Sequence, residues 1–178
     1  KPSQMVVIDL DRNVVEGNLR PSSDSQTHIE LYKAFPAIGG IAHSHSTYAT
    51  AWAQAGKNIP IIGTTHADYF SMDIPCSTDL LSEQIEGSYE KETGRTIIET
   101  LEDINIEHVP GVLVKNHGPF TWGEDANSAV FNSVVLEEVA KLAYLTFSIN
   151  PEAIMDIELV NKHFERKHGK DAYYGQDN

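Results

Sequence analysis

The sequence predicts a mixed α/β domain in which helices cover a β-sheet. Short apolar runs that end in turn residues alternate along the chain with longer segments whose apolar residues recur every three or four positions. This alternation of strand and helix patterns is typical of a sheet packed against helices. The length of 178 residues suits one domain, and we find no internal repeat and no low-complexity linker. We therefore expect a single domain over residues 1–178 that lacks its N-terminal segment, since the chain opens at Lys1 almost directly into a strand.

The first part of the chain is predicted to contain a hairpin, two helices and two strands. Residues 5–10 and 14–16 are apolar runs on either side of a tight turn, which is a hairpin pattern. The elements that follow are a helix over 26–35, a strand that carries the His-x-His pair, a helix that Ser46 or Thr47 caps and that stops at Gly56, and a short buried strand over 59–63.

The second part begins with an irregular segment and continues with helices. Residues 68–94 are rich in acids and turn residues, so we expect a loop there with a short acidic helix. Apolar spacing then predicts a helix over 95–106, a strand that ends at His117, a long helix from 125 or 127 to about 147, and a last helix over 155–167.

Composition excludes some classes of protein. Thirteen basic against 26 acidic residues give a net charge of −13, which repels phosphate backbones and makes a nucleic-acid partner unexpected. A phosphorylated small molecule is still compatible, because a metal or a helix N-terminus reverses the field locally. No apolar run approaches the length of a membrane span. Cys76 is the only cysteine, so no internal disulfide can form, which fits the reducing cytoplasm.

The run GGIAHSHS over 39–46 is the clearest candidate for a metal site. In an extended strand Ile41, His43 and His45 point to the same face, so two imidazoles can share one ion. A catalytic zinc site needs three protein ligands and an open position. His117 follows a second apolar run, GVLVKN, and is the candidate third ligand. A lone His-x-His pair is as often a surface or packing feature, but the second histidine-tipped strand favours a metal site.

Other polar residues have both a structural and a functional interpretation. Asp24 begins a helix, where it serves as an N-cap or as a metal ligand or base. Ser22 and Ser23 precede it and are a candidate anion site at the same helix end. Asp68 follows a predicted buried strand, so it is a turn residue or a side chain of a cleft. His163 lies in a basic segment, which has two interpretations: it forms a solvent-exposed face of a helix, or it attracts an anionic substrate.

Five segments resemble the class II aldolase/epimerase family, and within it the L-ribulose-5-phosphate 4-epimerases. They are PSSD (21–24), GGIAHSHS (39–46), GTTHADYF (63–70), NHGPF (116–120) and KHGKDAYYGQ (167–176). The resemblance extends over almost the whole chain, and the GTTHADYF and YYGQ segments point to the epimerase branch. It implies a three-layer α/β/α fold with a central mixed, mostly antiparallel sheet, one zinc ion per subunit, and a homotetramer with active sites between subunits.

The resemblance also assigns roles to single residues. The metal ligands it implies are His43, His45 and His117, with Asp24 close to the metal and often a fourth ligand. Asp68 and Tyr174 match the acid/base pair, and the tyrosine reaches in from the neighbouring subunit. Ser22 and Ser23 match part of the phosphate pocket, and His163 matches a second residue near the substrate. The family's preceding segment, which holds the rest of that pocket, is absent from these 178 residues.

The activity implied is the interconversion of L-ribulose 5-phosphate and D-xylulose 5-phosphate. Direct abstraction of the C4 hydrogen is unfavourable because C4 is not adjacent to the C2 carbonyl. Cleavage of the C3–C4 bond avoids that carbanion, and re-addition to the other face of the aldehyde inverts C4. Two acid/base groups on opposite faces are required for the proton transfers.

Alternatives remain open at this point. A class II aldolase that cleaves a ketose 1-phosphate would use a similar site, and a non-catalytic metal or sugar-phosphate binding module is a third reading. The arabinose and ascorbate pathways use very similar epimerases. Manganese or cobalt could replace zinc.

Overall fold

The chain begins with a small antiparallel hairpin. In the computed structural model, which describes residues 1–174, β1 (Val7–Ile8) pairs with β2 (Val14–Glu16). The Asp9 carboxylate accepts hydrogen bonds from the backbone N–H groups of Asp11 and Asn13, at 2.9 and 2.8 Å, and so closes the turn. The predicted hairpin is thus confirmed, with a shorter first strand than the apolar run suggested.

A three-stranded antiparallel sheet forms the centre of the fold. Its strands are β3 (Gly40–His43), β4 (Gly111–Val114) and β5 (Gly118–Gly123), in the order β3-β5-β4. His43 at the end of β3 is opposite Phe120 of β5, and Gly40 at its start is opposite Gly123. β5 was not predicted from the sequence, and β3 ends at His43, so His45 lies two residues beyond the strand on which it was expected.

Seven helices surround this sheet. They are α1 (Ser25–Ala34), α2 (Thr47–Ala55), α3 (Thr64–Ala67), α4 (Ser82–Glu86), α5 (Tyr89–Thr100), α6 (Ala126–Ile149) and α7 (Ile157–His168) within the described residues 1–174. The Asp125 side chain caps α6 through the Ser128 N–H, and Gly56 ends α2 in the left-handed conformation that favours glycine.

Two apolar cores on opposite faces of the sheet make three layers. Leu113 of β4 packs with α2 and α6 through residues such as Ala53 and Leu136. Its neighbours in sequence, Val112 and Val114, point the other way and pack with α1 and α5. All four residues of β4 are buried, as expected for a strand covered on both faces. The expected α/β/α architecture is therefore observed.

Two predicted elements differ from the structure. Residues 59–63 form no ladder; Ile59 makes a single bridge to Ile74, Pro60 has no N–H to donate, and the Ile61 N–H donates to the Asp73 side chain at 2.8 Å. The helix predicted over 95–106 is α5, which begins six residues earlier and also ends six residues earlier, at Thr100. Glu90 and Glu92 lie in its first turn, where acidic side chains stabilise a helix.

No helix within the described part of the chain is long and apolar enough to cross a membrane. The Gly175-Gln176 end of the terminal motif lies outside the described residues.

Candidate metal centre

The chain brings His43, His45 and His117 together at one end of the sheet. His43 is the last residue of β3, and His45 lies two residues beyond it, just before α2. His117 lies in the tight turn between β4 and β5, where Asn116 has a φ of 62° and the His117 N–H donates to the Val114 carbonyl at 3.0 Å. Since β5 lies between β3 and β4, the end of β3 and this turn are neighbours.

The three imidazoles have the arrangement of a metal site. One ring nitrogen from each residue lies within 4.8 Å of the others. The ring centroids are 4.8 to 5.1 Å apart for all three pairs, and the rings are steeply inclined to one another. No acidic side chain takes part in this group of described residues. The donor set is therefore three nitrogens, which suits zinc or another borderline divalent ion with one position left open.

Contacts of the Nδ1 atoms orient two of the rings. His43 Nδ1 lies 2.9 Å from the Pro119 carbonyl oxygen, which can only accept, so Nδ1 carries the proton and donates. Nε2 of His43 is then left unprotonated as a ligand atom. The Tyr89 hydroxyl lies 3.3 Å from His117 Nδ1 and can accept from it in the same way. The His43 ring also stacks on Phe120, with centroids 4.0 Å apart.

Burial favours the neutral form of these ligands. Desolvation lowers the pKa of His43 below its usual 6.5. Desolvation likewise lowers the pKa of His117, and the other two imidazoles of the group act in the same direction. The negative charge of Asp24 opposes the shift at both histidines, so this carboxylate lies close enough to act on the site. A neutral imidazole is the form that binds a metal, and the residues present therefore fit the ion that the sequence implies.

Asp24 and the two serines lie at the start of α1. Asp24 occupies the N-cap position, but its side chain makes no capping hydrogen bond. Its closest partner is the Ser22 hydroxyl, which donates to Asp24 Oδ2 at 3.4 Å. Ser22 and Ser23 are both exposed. The Asp24 carboxylate and the Ser23 hydroxyl are therefore not committed to capping the helix.

Asp68 belongs to a second polar cluster. It follows α3, and its carboxylate accepts hydrogen bonds from Arg166 of α7, with both oxygens 3.0 Å from one guanidinium nitrogen. His163 Nδ1 lies 3.0 Å from Asp68 Oδ1, and Lys167 Nζ lies 3.8 Å from Asp68 Oδ2. One carboxylate thus holds three basic side chains on one face of α7.

Tyr174 lies at the same cluster. The Arg166 guanidinium carbon is 4.2 Å from the centroid of its ring, and the backbone N–H of Tyr174 donates to the Arg166 carbonyl at 3.0 Å. The Tyr174 side chain is about half exposed. Asp68, His163 and Tyr174 therefore share one location, although Asp68 is about a hundred residues away from the other two in the chain.

The two clusters lie at opposite ends of the sheet. The metal triad is at the Gly118 end of β5. His168, whose Nε2 lies 2.9 Å from the Asp68 carbonyl oxygen, lines a cavity with Trp122 and Gly123 at the other end. Gly118 and Gly123 are five residue steps apart along an extended strand, which is about 17 Å. Within one chain, the side chains of Asp68 and Tyr174 therefore do not share a site with the three histidines.

Three residues with a place in these clusters were not singled out from the sequence. Tyr89 contacts His117, Arg166 joins Asp68 to Tyr174, and Glu137 of α6 accepts hydrogen bonds from the N–H groups that open α2. The contact of Tyr89 with His117 spans 28 positions in sequence, and those of Arg166 with Asp68 and of Glu137 with Tyr48 span 98 and 89. Arg166 was visible as a member of a basic segment, but nothing local marked the other two.

Known structures share this fold. An L-fuculose 1-phosphate aldolase has a TM-score of 0.73 and 27% identity, over 91% of this chain and 72% of that chain. An L-fuculose 1-phosphate aldolase from Glaciozyma antarctica PI12 has a TM-score of 0.72 and 22% identity, over 96% of this chain and 63% of that chain. YgbL of Escherichia coli, a proposed aldolase/epimerase/decarboxylase, has a TM-score of 0.69 and 20% identity, over 91% and 74% of the two chains.

The family assignment comes from the sequence itself. Residues 1–144 match the model of the class II aldolase and adducin N-terminal domain, and this range contains all three histidines of the metal centre. The match extends over more than half of the chain. The protein therefore belongs to the class II aldolase and adducin N-terminal domain family.

Proposed function

We propose that this protein is a zinc-dependent L-ribulose-5-phosphate 4-epimerase. The observation that carries the proposal is the triad of His43, His45 and His117, whose ring nitrogens converge and whose environment favours neutral imidazoles. Family membership supports a sugar-phosphate enzyme. The GTTHADYF segment and the paired tyrosines near the end of the chain support the epimerase branch. We place the enzyme in the cytoplasm, in agreement with its single cysteine.

The reaction needs charge stabilisation at one end of the substrate and proton transfer at C4. A divalent ion bound by the three imidazoles supplies Lewis acidity, which stabilises the negative charge left on C2 and C3 when the C3–C4 bond breaks. Asp68 and Tyr174 are the proposed proton-transfer groups. One takes the proton of the C4 hydroxyl, and the other returns a proton on the opposite face after the aldehyde has turned.

The proposed site is shared between subunits. Asp68 and Tyr174 lie at the far end of the sheet from the triad of their own chain. In a homotetramer they would serve the triad of a neighbouring subunit, with His163 beside them. Apolar side chains on the surface of α6 support such an assembly, since burial of these side chains between subunits would stabilise it; they include Val130, Phe131, Val134 and Ile149.

The proposed phosphate contacts come from Ser22 and Ser23. Both hydroxyls are exposed near Asp24, whose charge acts on the triad. Replacing both serines with alanine should raise KM for the phosphorylated sugar more than it lowers kcat, if the contacts are alike in ground and transition states.

A second candidate is a ketose 1-phosphate aldolase. It is favoured by the 27% identity to an L-fuculose 1-phosphate aldolase. The two candidates differ in their products. We expect the zinc-loaded protein to convert L-ribulose 5-phosphate into D-xylulose 5-phosphate with an intact five-carbon skeleton, followed by ¹³C NMR. Release of dihydroxyacetone phosphate and an aldehyde from L-fuculose 1-phosphate, with no epimerisation, would favour the aldolase.

A further inference from the structure

Arg166 contacts both of the groups to which proton transfer is assigned above. Its Nη2 lies 3.0 Å from each oxygen of Asp68, and its Nε lies 3.3 Å from Oδ1. The same guanidinium lies over the ring of Tyr174, 4.2 Å from the ring centroid. Lys167 reaches the same two groups at longer range, with its ammonium 3.8 Å from Asp68 Oδ2 and 5.3 Å from the centroid of the Tyr174 ring. Arg166 makes the shorter contact with each group, so its guanidinium is the side chain best placed to set the position of both the carboxylate and the tyrosine ring.

We propose that Arg166 is the positioning residue for this pair, a role that rests on the function proposed for Asp68 and Tyr174. The carboxylate and the phenol must act on opposite faces of one small aldehyde, so their spacing has to be held within narrow limits. Arg166 is about four-fifths buried, and Asp68 is more buried still. Dissolved salt therefore screens this ion pair only weakly. Arg166 therefore presents both groups to the neighbouring subunit as one preformed unit.

The contacts of α7 show that the Arg166 side chain is not needed to hold the C-terminal segment in place. The backbone N–H groups of Tyr173 and Tyr174 both donate to the Arg166 carbonyl at 3.0 Å, and a main-chain carbonyl is present in any residue at this position. Asp68 also keeps His163 and Lys167 as partners if the guanidinium is removed. The Arg166→Ala variant should therefore fold and keep its terminal segment against α7, while it loses the group that sets the geometry.

The neighbouring residue Lys162 offers a matched control. Its ammonium lies 5.0 Å from the centroid of the Tyr173 ring, one turn of α7 before Arg166 and one tyrosine before Tyr174. Lys162→Ala removes a cation from the same helix and the same aromatic segment without touching Asp68 or Tyr174. We expect it to leave kcat unchanged.

The test compares steady-state kinetics of zinc-loaded variants. We expect Arg166→Ala to lower kcat roughly 10- to 100-fold with little change in KM, because misplaced groups slow the proton transfers. Arg166→Lys should be only slightly better, since a lysine ammonium lacks the second nitrogen with which the guanidinium holds the Asp68 carboxylate. Low millimolar guanidinium chloride should restore part of kcat to the alanine variant, and equal sodium chloride should not.

Comparison with variants of the pair itself distinguishes the possible failures. Arg166→Ala should cost less in the Tyr174→Phe protein, measured on its residual kcat, than in the unmodified protein, because one of the groups it positions is gone. An equal loss in the two proteins, or a changed KM with unchanged kcat, would mean that Arg166 acts elsewhere. Full activity of Arg166→Ala, with kcat of Tyr174→Phe strongly lowered, would overturn the positioning role alone. Full activity of both Asp68→Asn and Tyr174→Phe would overturn the proposed proton-transfer roles, and the role of Arg166 with them.

Discussion

At the scale of single residues, the metal centre depends on ring orientation as much as on the three histidines. The His-x-His spacing and the second histidine at the end of an apolar run were enough to predict the triad, because both patterns are local. The Pro119 carbonyl and the Tyr89 hydroxyl, which contact the Nδ1 atoms of His43 and His117, are brought to the site by the fold. Such partners leave no mark in the nearby sequence.

The first prediction follows from this difference between ligands and their supports. His117→Ala should remove most of the bound zinc, since two imidazoles hold the ion weakly. Tyr89→Phe keeps the ligand and should weaken zinc affinity roughly 10- to 100-fold, as expected for a group that orients a ligand. Metal content by mass spectrometry and chelator competition measure the two effects. His108→Ala, outside the triad, should keep full occupancy, and full occupancy in His117→Ala would rule out the assigned third ligand.

The second prediction concerns His66 and the pH dependence of stability. His66 is buried beside Met72, and desolvation lowers its pKa to about 4. The unfolded chain binds this proton near pH 6.5, so unfolding takes up a proton between pH 6.5 and about 4. Stability should therefore be complete above pH 6.5 and fall on acidification, by about 2 kcal/mol from this residue at pH 5.

Other histidines with lowered pKa values, such as His28 and His43, contribute in the same direction. The His66→Gln variant isolates the contribution of His66, because glutamine does not titrate. Urea unfolding of both proteins from pH 7 to pH 5 is the measurement. Equal slopes of unfolding free energy against pH in the two proteins would show that His66 is not the group that titrates.

At the scale of elements, local signals predicted most helices and failed for one strand. α1, α2 and α6 combine helical spacing with stop or cap residues such as Gly56 and Asp125. β5 reads GPFTWG, in which glycine and proline at the start suggest a turn. It is a strand because β3 and β4 both pair with it, and pairing between distant segments is not encoded in a six-residue window.

The start of α2 shows a capping interaction that the sequence did not reveal. Ser46 occupies the N-cap position but its side chain makes no capping bond. The Glu137 carboxylate of α6 instead accepts from the Tyr48 N–H at 2.9 and 3.1 Å and from the Ala49 N–H at 2.9 Å. A carboxylate at a helix N-terminus also stabilises the helix dipole. Glu137 thereby fixes the helix that begins two residues after His45, a candidate metal ligand.

The third prediction tests this cap. Glu137→Ala should lower the free energy of unfolding by about 1 to 3 kcal/mol, since it leaves part-buried N–H groups without partners. Glu138→Ala, which removes an exposed carboxylate at the next position of α6, is the matched control and should change stability little. Denaturant unfolding at one fixed protein concentration gives the comparison. Equal stability of the two variants would mean that Glu137 does not hold α2 in place.

At the scale of the whole molecule, the separation of the two clusters determines how an active site can be assembled. A site that needs both the triad and Asp68 with Tyr174 must draw them from two chains. The sequence resemblance predicts a tyrosine from the neighbouring subunit, and this stays a prediction. It did not indicate that Asp68 comes with the tyrosine, because the contact through Arg166 joins segments about a hundred residues apart.

The last prediction follows from that arrangement. In the proposed homotetramer, Tyr174→Phe subunits alone and His43→Ala subunits alone are each expected to show little or no activity. After dissociation and joint reassembly, some interfaces would pair an intact triad with an intact Asp68 and Tyr174, so part of the activity should return. Mixing Asp68→Asn with Tyr174→Phe should restore nothing, because both changes damage the same half of the site and every interface then lacks one proton-transfer group. Native mass spectrometry must show mixed tetramers in both experiments. Activity regained in the second mixture would mean that one active site takes Asp68 from one chain and Tyr174 from another. No activity in the first mixture would mean that Tyr174 does not act across a subunit boundary.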